Sequence, residues 1–427
     1  MLLKIVQLFY YAAILCISFD ILGVLKIGFN FRLSQFLLIV PIGYACLKGI
    51  YFRKTLLPQS FAFLLLWASL IFIFIPNTGF VARSIAYALW LAFNILTIWA
   101  TVQIFTTRED VERVIRWYMY SFGIIGVAGL VQFLLPLAGL SSFLVTQWWF
   151  PGKLARINGF SYEPSFFATY MTLGFILTGN YITRTANHER RYTVIFIIIV
   201  IAMLLSTSRL GWIILALWAA QYPLRLFWRI LITGRINLRY GRYSIIVISV
   251  MMVIGIFIAG IGYSKMNFLL IGTGVMSHSD HSVVVRLHEM RDTTTIFLQS
   301  PLIGYSLGGI SWAIGKLNGV NVTNLETAKM NEGTSVFVQV LAASGIIGFI
   351  PFALYMFSII RTPLAAAKRL QNDMNLRILL NGMAIALVFE LIILQFNQNI
   401  LRPYLWLHIA LLSALTARTK VMNENSN

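Results

Sequence analysis

The sequence predicts an all-α protein that crosses a membrane about twelve times. Three observations lead there. Hydrophobic residues make up 59% of the chain and charged residues only 11%. A soluble chain of 427 residues would cover its core with charge, whereas here the mean hydropathy is +0.81. Runs of about 20 apolar residues recur, each long enough to cross a hydrocarbon core as a helix. A membrane β-barrel is excluded because its strands alternate in polarity and these runs do not.

The expected spans are 4–24, 33–51, 60–77, 83–105, 114–137, 164–183, 192–207, 210–232, 243–263, 334–360, 376–397 and 400–418. They form one integral membrane domain over residues 1–427. The first run carries Asp20 and has no small-residue cleavage site, so it reads as a retained span. Cys16 and Cys46 both fall inside apolar runs, which implies no disulfide framework. The chain has no low-complexity tract and no internal repeat, which argues against a transporter built from inverted repeats.

The net charge of +19 belongs to loops rather than to a nucleic-acid surface. Basic residues gather on one set of connections, among them Lys48, Arg53, Arg108, Arg113, Arg184, Arg225, Arg361 and Arg377. The positive-inside rule puts that side, and both termini, in the cytoplasm. The other face then holds residues 155–168, the corner at Ser208-Arg209, and a long loop over 264–333 with short amphipathic helices. Arginines there fall outside the lipid-facing basic belt.

Four segments on that outer face carry the chemistry. The first is Arg156-Ile157-Asn158-Gly159 with Glu163-Pro164. Gly159 lets backbone approach a ligand, and Pro164 suits the first turn of a helix. The plain structural alternative is a helix-start turn with an Arg–Glu pair. The second is Ser206-Thr207-Ser208-Arg209 between two spans. Hydroxyls, an arginine and a helix N-terminus are the parts of an anion site, although Arg209 alone would also snorkel. The third runs from Arg286 through His288, Glu289, Arg291 and Asp292 to Pro301–Gly304. Apolar residues at 287, 290, 297 and 298 suit a helix lying on the membrane. Arg291 is expected to pair with Asp292 or Glu289, whereas Arg286 is assigned to a ligand. The fourth is Gly333–Gly348. There Thr334 or Ser335 would cap a helix, and Gly345 and Gly348 would give a small-residue packing face. His278, Asp280 and His281 form the only candidate metal cluster and read as a solvated loop. No metal and no cofactor is expected.

Together these segments resemble the O-antigen polymerase and ligase superfamily, of Wzy and WaaL types. The resemblance rests on Arg156–Pro164, Ser208-Arg209, Arg286 with Pro301–Gly304, and Gln339–Gly348, in that order, and covers about residues 150–360. Ser306 stands where the family usually has glycine. Ligases of this superfamily carry a His-Asn pair where this chain has Thr334 and Ser335, which points to a polymerase of repeat units.

The resemblance implies a metal-independent, inverting glycosyltransferase of the GT-C kind in the bacterial inner membrane. Its substrate would be undecaprenyl-diphosphate-linked oligosaccharide. A chain-length regulator and a flippase are the protein partners such a pathway offers. Arg156, Arg209, Arg286 and Ser208 would hold the diphosphate, since a guanidinium keeps its charge and grips phosphate with two prongs. Glu163, Glu332 and His288 are the candidates to take the acceptor proton. The alternatives are an O-antigen ligase and a lipid-linked oligosaccharide transporter.

Overall fold

The computed structural model describes residues 1–26, 30–53, 55–150, 152–185, 189–234, 241, 245, 281–370, 373–396 and 400–424. Apart from Ile245, the expected span 243–263 lies outside them, as do the residues His278 and Asp280. The first helices are α1 (Leu2–Leu15), α2 (Leu33–Phe52), α3 (Phe61–Ile73), α4 (Val81–Ile104) and α5 (Arg108–Leu137). Then follow α6 (Pro164–Arg184), α7 (Arg190–Leu205) and α8 (Arg209–Thr233). The 281–333 region folds as α9 (His281–Gln299), α10 (Ile310–Leu317) and α11 (Leu325–Met330). The chain closes with α12 (Val336–Arg369), α13 (Met374–Ile393) and α14 (Pro403–Glu424). Six of these are long and apolar enough to cross a membrane: α2, α4, α5, α8, α12 and α13. The described strands form two short antiparallel pairs, β1 (Val24–Lys26) with β2 (Asn30–Arg32) and β3 (Trp148–Phe150) with β4 (Leu154–Ala155).

Boundaries follow local chemistry. Thr107 caps α5 by accepting the Asp110 N–H at 3.1 Å, with Glu109 and Asp110 in the first turn. Pro164 stands at the first position of α6, where its missing N–H costs nothing. α6 is the buried axis of the bundle, enclosed from Pro164 to Asn180 apart from Ser165 and packed against α13. Thr169, Thr172 and Thr178 return their hydroxyls to carbonyls four residues back, so the buried helix carries no unmet hydroxyl.

Two expectations change. The first span ends at Leu15, not at 24, and Asp20 lies beyond it in a turn. There its carboxylate pairs with Arg32 at 2.8 Å and Arg402 at 3.3 Å. The second change concerns Gly345. It is not a helix-packing glycine; it breaks α12, with φ +58° and ψ −169°. The turn at 301–306 fills the gap. Pro301 O accepts the Ile346 N–H at 2.8 Å, and the Ser306 N–H donates to Ala343 O at 2.7 Å. Backbone groups freed by the break are thereby satisfied. A Cβ at Gly345 would stand 2.1 Å from the Leu302 carbonyl, so only glycine fits.

Candidate functional site

Arg156 is positioned by a buried amide. Gln132 of α5 accepts the N–H groups of Asn158 at 3.1 Å and Gly159 at 3.0 Å, and donates to Phe143 O at 2.9 Å. Asn158 donates onward to Leu144 O and Ser161 O. Gly159 is buried, and its positive φ lets the chain pass close over Phe167.

The Arg156 side chain then docks on the corner between α7 and α8. Nε donates to Thr207 Oγ1 at 2.6 Å, one Nη to the Thr207 carbonyl at 3.2 Å, and the other to Gln147 Oε1 at 2.7 Å. Thr207 takes a left-handed φ of 51° to present both oxygens. A guanidinium has five N–H donors, so two stay available. Every partner is neutral. Burial first, then the neighbouring Arg209 charge, pulls the Arg156 guanidinium below its ordinary value, and Glu163 acts the other way. The expected Arg–Glu contact is therefore a through-space attraction without an ion pair. Ser208 is buried at the N-cap position of α8 and Arg209 opens that helix. Glu163 holds the N-cap position of α6 and accepts the Ser165 hydroxyl at 3.0 Å. Two helix N-termini thus open beside two arginines.

Glu332 is tied up elsewhere. It pairs with Arg83 of α4, and Tyr87 donates to the same oxygen at 3.1 Å. Arg83 also donates to Ser311 and Tyr87. A cavity of about 20 Å³ beside them is bordered by Gly333 and Gln339 and suits one water. Sequence analysis did not single out Arg83; a lone arginine at a span start gives no signal of a partner 249 residues away.

Along α9, Arg286, Glu289, Thr293 and Ile296 fall on one helical stripe, with Thr293 and Ile296 fully buried. Glu289, expected only as a partner for Arg291, is the perturbed carboxylate of this stripe. Burial pushes its carboxyl up to about 7; Arg286 lowers it, while Glu332, Glu163 and Asp292 raise it. Glu289 therefore senses both Glu163 and Glu332 across three elements. His288 projects to the other side, 65% exposed, and meets Asp292 at 3.2 Å. Asn318 donates to the same carboxylate oxygen at 3.0 Å. Asp292 is thus held by His288 and Asn318 rather than by Arg291.

The expected N-cap position at 334–335 is found at Ser335, although its side chain does not cap. Ser335 stands at the N-cap with φ 68°, and its hydroxyl donates to Gln395 Oε1 at 2.8 Å. Gln395 also accepts the Phe337 N–H at 3.4 Å, so the amide caps α12. The Thr334 hydroxyl is buried without a hydrogen-bond partner among the described residues. Beneath the Glu163 turn, the Arg402 guanidinium lies 3.6 Å from the Phe166 ring centre. Phe160 O accepts the N–H groups of Asp20 and Ile21 at 2.9 and 3.2 Å. The Arg156–Glu163 segment is anchored at both ends.

Arg156, Ser208, Arg209, Glu163, Arg286 and Glu332 thus come to one end of the bundle, with Glu289 among them. Residues 194–353 match the family model Wzy_C, described as O-antigen ligase. No curated protein matches the chain.

Proposed function

With residues 194–353 a domain of the O-antigen ligase/polymerase superfamily, we propose that this chain polymerises oligosaccharide repeat units carried on undecaprenyl diphosphate. The reaction site is the arginine-rich end of the bundle, on the outer face of the bacterial inner membrane, with both termini in the cytoplasm. The fold is a twelve-span membrane glycosyltransferase of the GT-C kind. The observation that carries the reading is the Arg156–Thr207 corner: a half-buried cation, held by neutral acceptors, beside a second cation.

The acceptor hydroxyl oxygen attacks the anomeric carbon of the donor sugar with inversion. The bond from that carbon to the diphosphate oxygen breaks, and undecaprenyl diphosphate leaves with the electron pair. Arg156, Arg209 and Arg286, with Ser208, hold the charge that develops on it. No metal is invoked. The hydroxyl proton passes to a carboxylate. Of the candidates, Glu332 is committed to Arg83 and His288 to Asp292. Glu163 and Glu289 remain, and Glu289 titrates near 7, where a general base works best.

Thr334 and Ser335 occupy the place of the ligase His-Asn pair, which favours a polymerase. The family description favours the second reading, a ligase that moves finished polymer to an acceptor. Purified protein in lipid discs, given lipid-linked repeat units alone, is expected to release undecaprenyl diphosphate and build a ladder of longer glycans. Transfer of finished polymer without lengthening would mark a ligase. Translocation with no new glycosidic bond would mark a transporter.

A further inference from the structure

Three charged side chains meet beneath the Glu163 turn, apart from the arginines assigned to substrate. Asp20, in the turn after α1, pairs through one oxygen with Arg32 at 2.8 Å and through the other with Arg402 at 3.3 Å. Arg32 stands at the N-cap of α2 and Arg402 just before α14. All three side chains are largely enclosed, at 8%, 13% and 9% exposure. Such a triplet is a poor source of stability, because well-packed apolar residues often serve at least as well. What it fixes here is the chain beside it. The Phe160 carbonyl accepts the Asp20 and Ile21 N–H groups, and the Phe19 and Phe160 rings stand 4.3 Å apart. The Ser161 hydroxyl donates to the Ser18 carbonyl at 3.3 Å. On the other flank, the Arg402 guanidinium stacks on Phe166. Glu163 lies midway between Phe160 and Phe166 in the chain. Arg156 has separate supports: Gln132 carries its backbone neighbours, and Thr207 and Gln147 hold its side chain.

We propose, on the reading of the reaction site given above, that the Asp20–Arg32–Arg402 triplet positions the Glu163 carboxylate and the first turn of α6. Asp20 acts through Arg402 and the Phe160 carbonyl, and not on substrate. A displacement of about 1 Å near reacting groups can cost about a hundredfold in rate. A clamp on both flanks of Glu163 prevents it. The alternative is a triplet that only holds helix ends together.

Glycan extension by the full-length protein in lipid discs is measured beside melting curves and amide hydrogen exchange. Asp20→Asn keeps the shape and removes the charge that holds both guanidiniums. It is expected to lower kcat about 10- to 100-fold and to leave KM for the lipid-linked donor within about threefold, because Arg156 keeps its own supports. The amides of Ser161, Phe166 and Phe167 close the turn around Glu163, and they should exchange about tenfold faster. The double variant Asp20→Asn/Arg32→Gln removes the facing like charges and leaves a single positive charge in excess, as in the parent. Its stability should recover while kcat stays low. Recovery of kcat along with the melting temperature would reduce the triplet to a structural role and overturn the proposal. An unchanged kcat in Asp20→Asn would do the same. Should Asp20→Asn fold poorly, Arg402→Lys decides. It keeps a charge for Asp20 and loses the flat face on Phe166, so kcat should fall about tenfold; an unchanged kcat overturns the clamp. If the parent itself extends no glycan, the assigned reaction fails, and exchange alone decides the clamp: faster exchange supports it, and unchanged exchange overturns it.

Discussion

Two arginine corners at the same end of the bundle have opposite electrostatics. At the Arg83 corner a carboxylate closes the account: Glu332 pairs with the guanidinium, and Tyr87 and Ser311 take further contacts. At the Arg156 corner the partners are Thr207 and Gln147, both neutral, and the charge that acts on it most strongly is Arg209. A buried ion pair has little left to offer a ligand, because each charge is already met. A half-buried cation fixed by neutral acceptors keeps its positive field and its geometry together. Such an arrangement is preorganised for an anion, since little reorganisation is needed when one arrives. The Arg83 corner ties the 331–335 segment to α4. The Arg156 corner leaves charge for the substrate proposed above.

The largest expected effect lies where the two corners meet. Glu289 senses Glu163 on one side and Glu332 on the other. In the proposed role of proton acceptor it must be ionised to work. Its carboxyl titrates near 7, so the rate of glycan extension should fall about tenfold per pH unit below 7 and level off above it. Glu289→Gln is expected to lower the rate by about 10²- to 10⁴-fold and to abolish that slope. Retention of the acid limb in the Gln variant would remove Glu289 from this role and leave Glu163.

The next effect sets the corners directly against each other. Arg156→Lys keeps the charge but loses the fork. Extension is expected to slow about 10- to 100-fold, the cost of one or two charge-assisted hydrogen bonds. Arg83→Gln strands the Glu332 carboxylate and should instead cost about 3 kcal/mol of stability. Its rate per folded molecule should change little. Melting curves and rates measured on the same preparations separate the two outcomes. A rate loss in Arg83→Gln equal to that in Arg156→Lys would dissolve the distinction.

Much of this arrangement was legible in the sequence, and the exceptions share a cause. Apolar runs place the helices α2, α4, α6 and α8 to within a few residues, because a chain in lipid must satisfy its backbone within each helix. Pro164 marks the start of α6 for a local reason, and so do Ser208 and Arg209 for α8. What failed was non-local. Asp20 looked like a charge within a span because its partners, Arg32 and Arg402, lie 12 and 382 residues away. Gly345 looked like a packing glycine because a helix break and a helix contact use the same residue type. Only the 301–306 turn, inserted from elsewhere, tells them apart. Glu289 looked like a surface residue of an amphipathic helix. Its perturbation comes first from burial on the stripe it shares with Thr293 and Ile296 and then from neighbouring carboxylates, two of them on other elements.

The smallest expected effect is also the most direct trial of the contrast. Thr207→Asp would hand the Arg156 corner the carboxylate that the Arg83 corner already has. The backbone there is left-handed, with φ 51°, and aspartate tolerates that conformation at least as well as threonine. The new side chain is of similar size and starts from a position where Oγ1 stands 2.6 Å from Arg156 Nε. An ion pair should form, so stability should hold or rise slightly. The positive field offered to a diphosphate should shrink, and extension is expected to slow about tenfold, the worth of one weakened charge-assisted contact. Thr207→Asn serves as the control. It fits the same left-handed backbone, accepts the same hydrogen bond and adds no charge, so its rate should stay within about threefold of the parent. Equal slowing in both variants would mean that the hydroxyl's shape matters and that its neutrality does not.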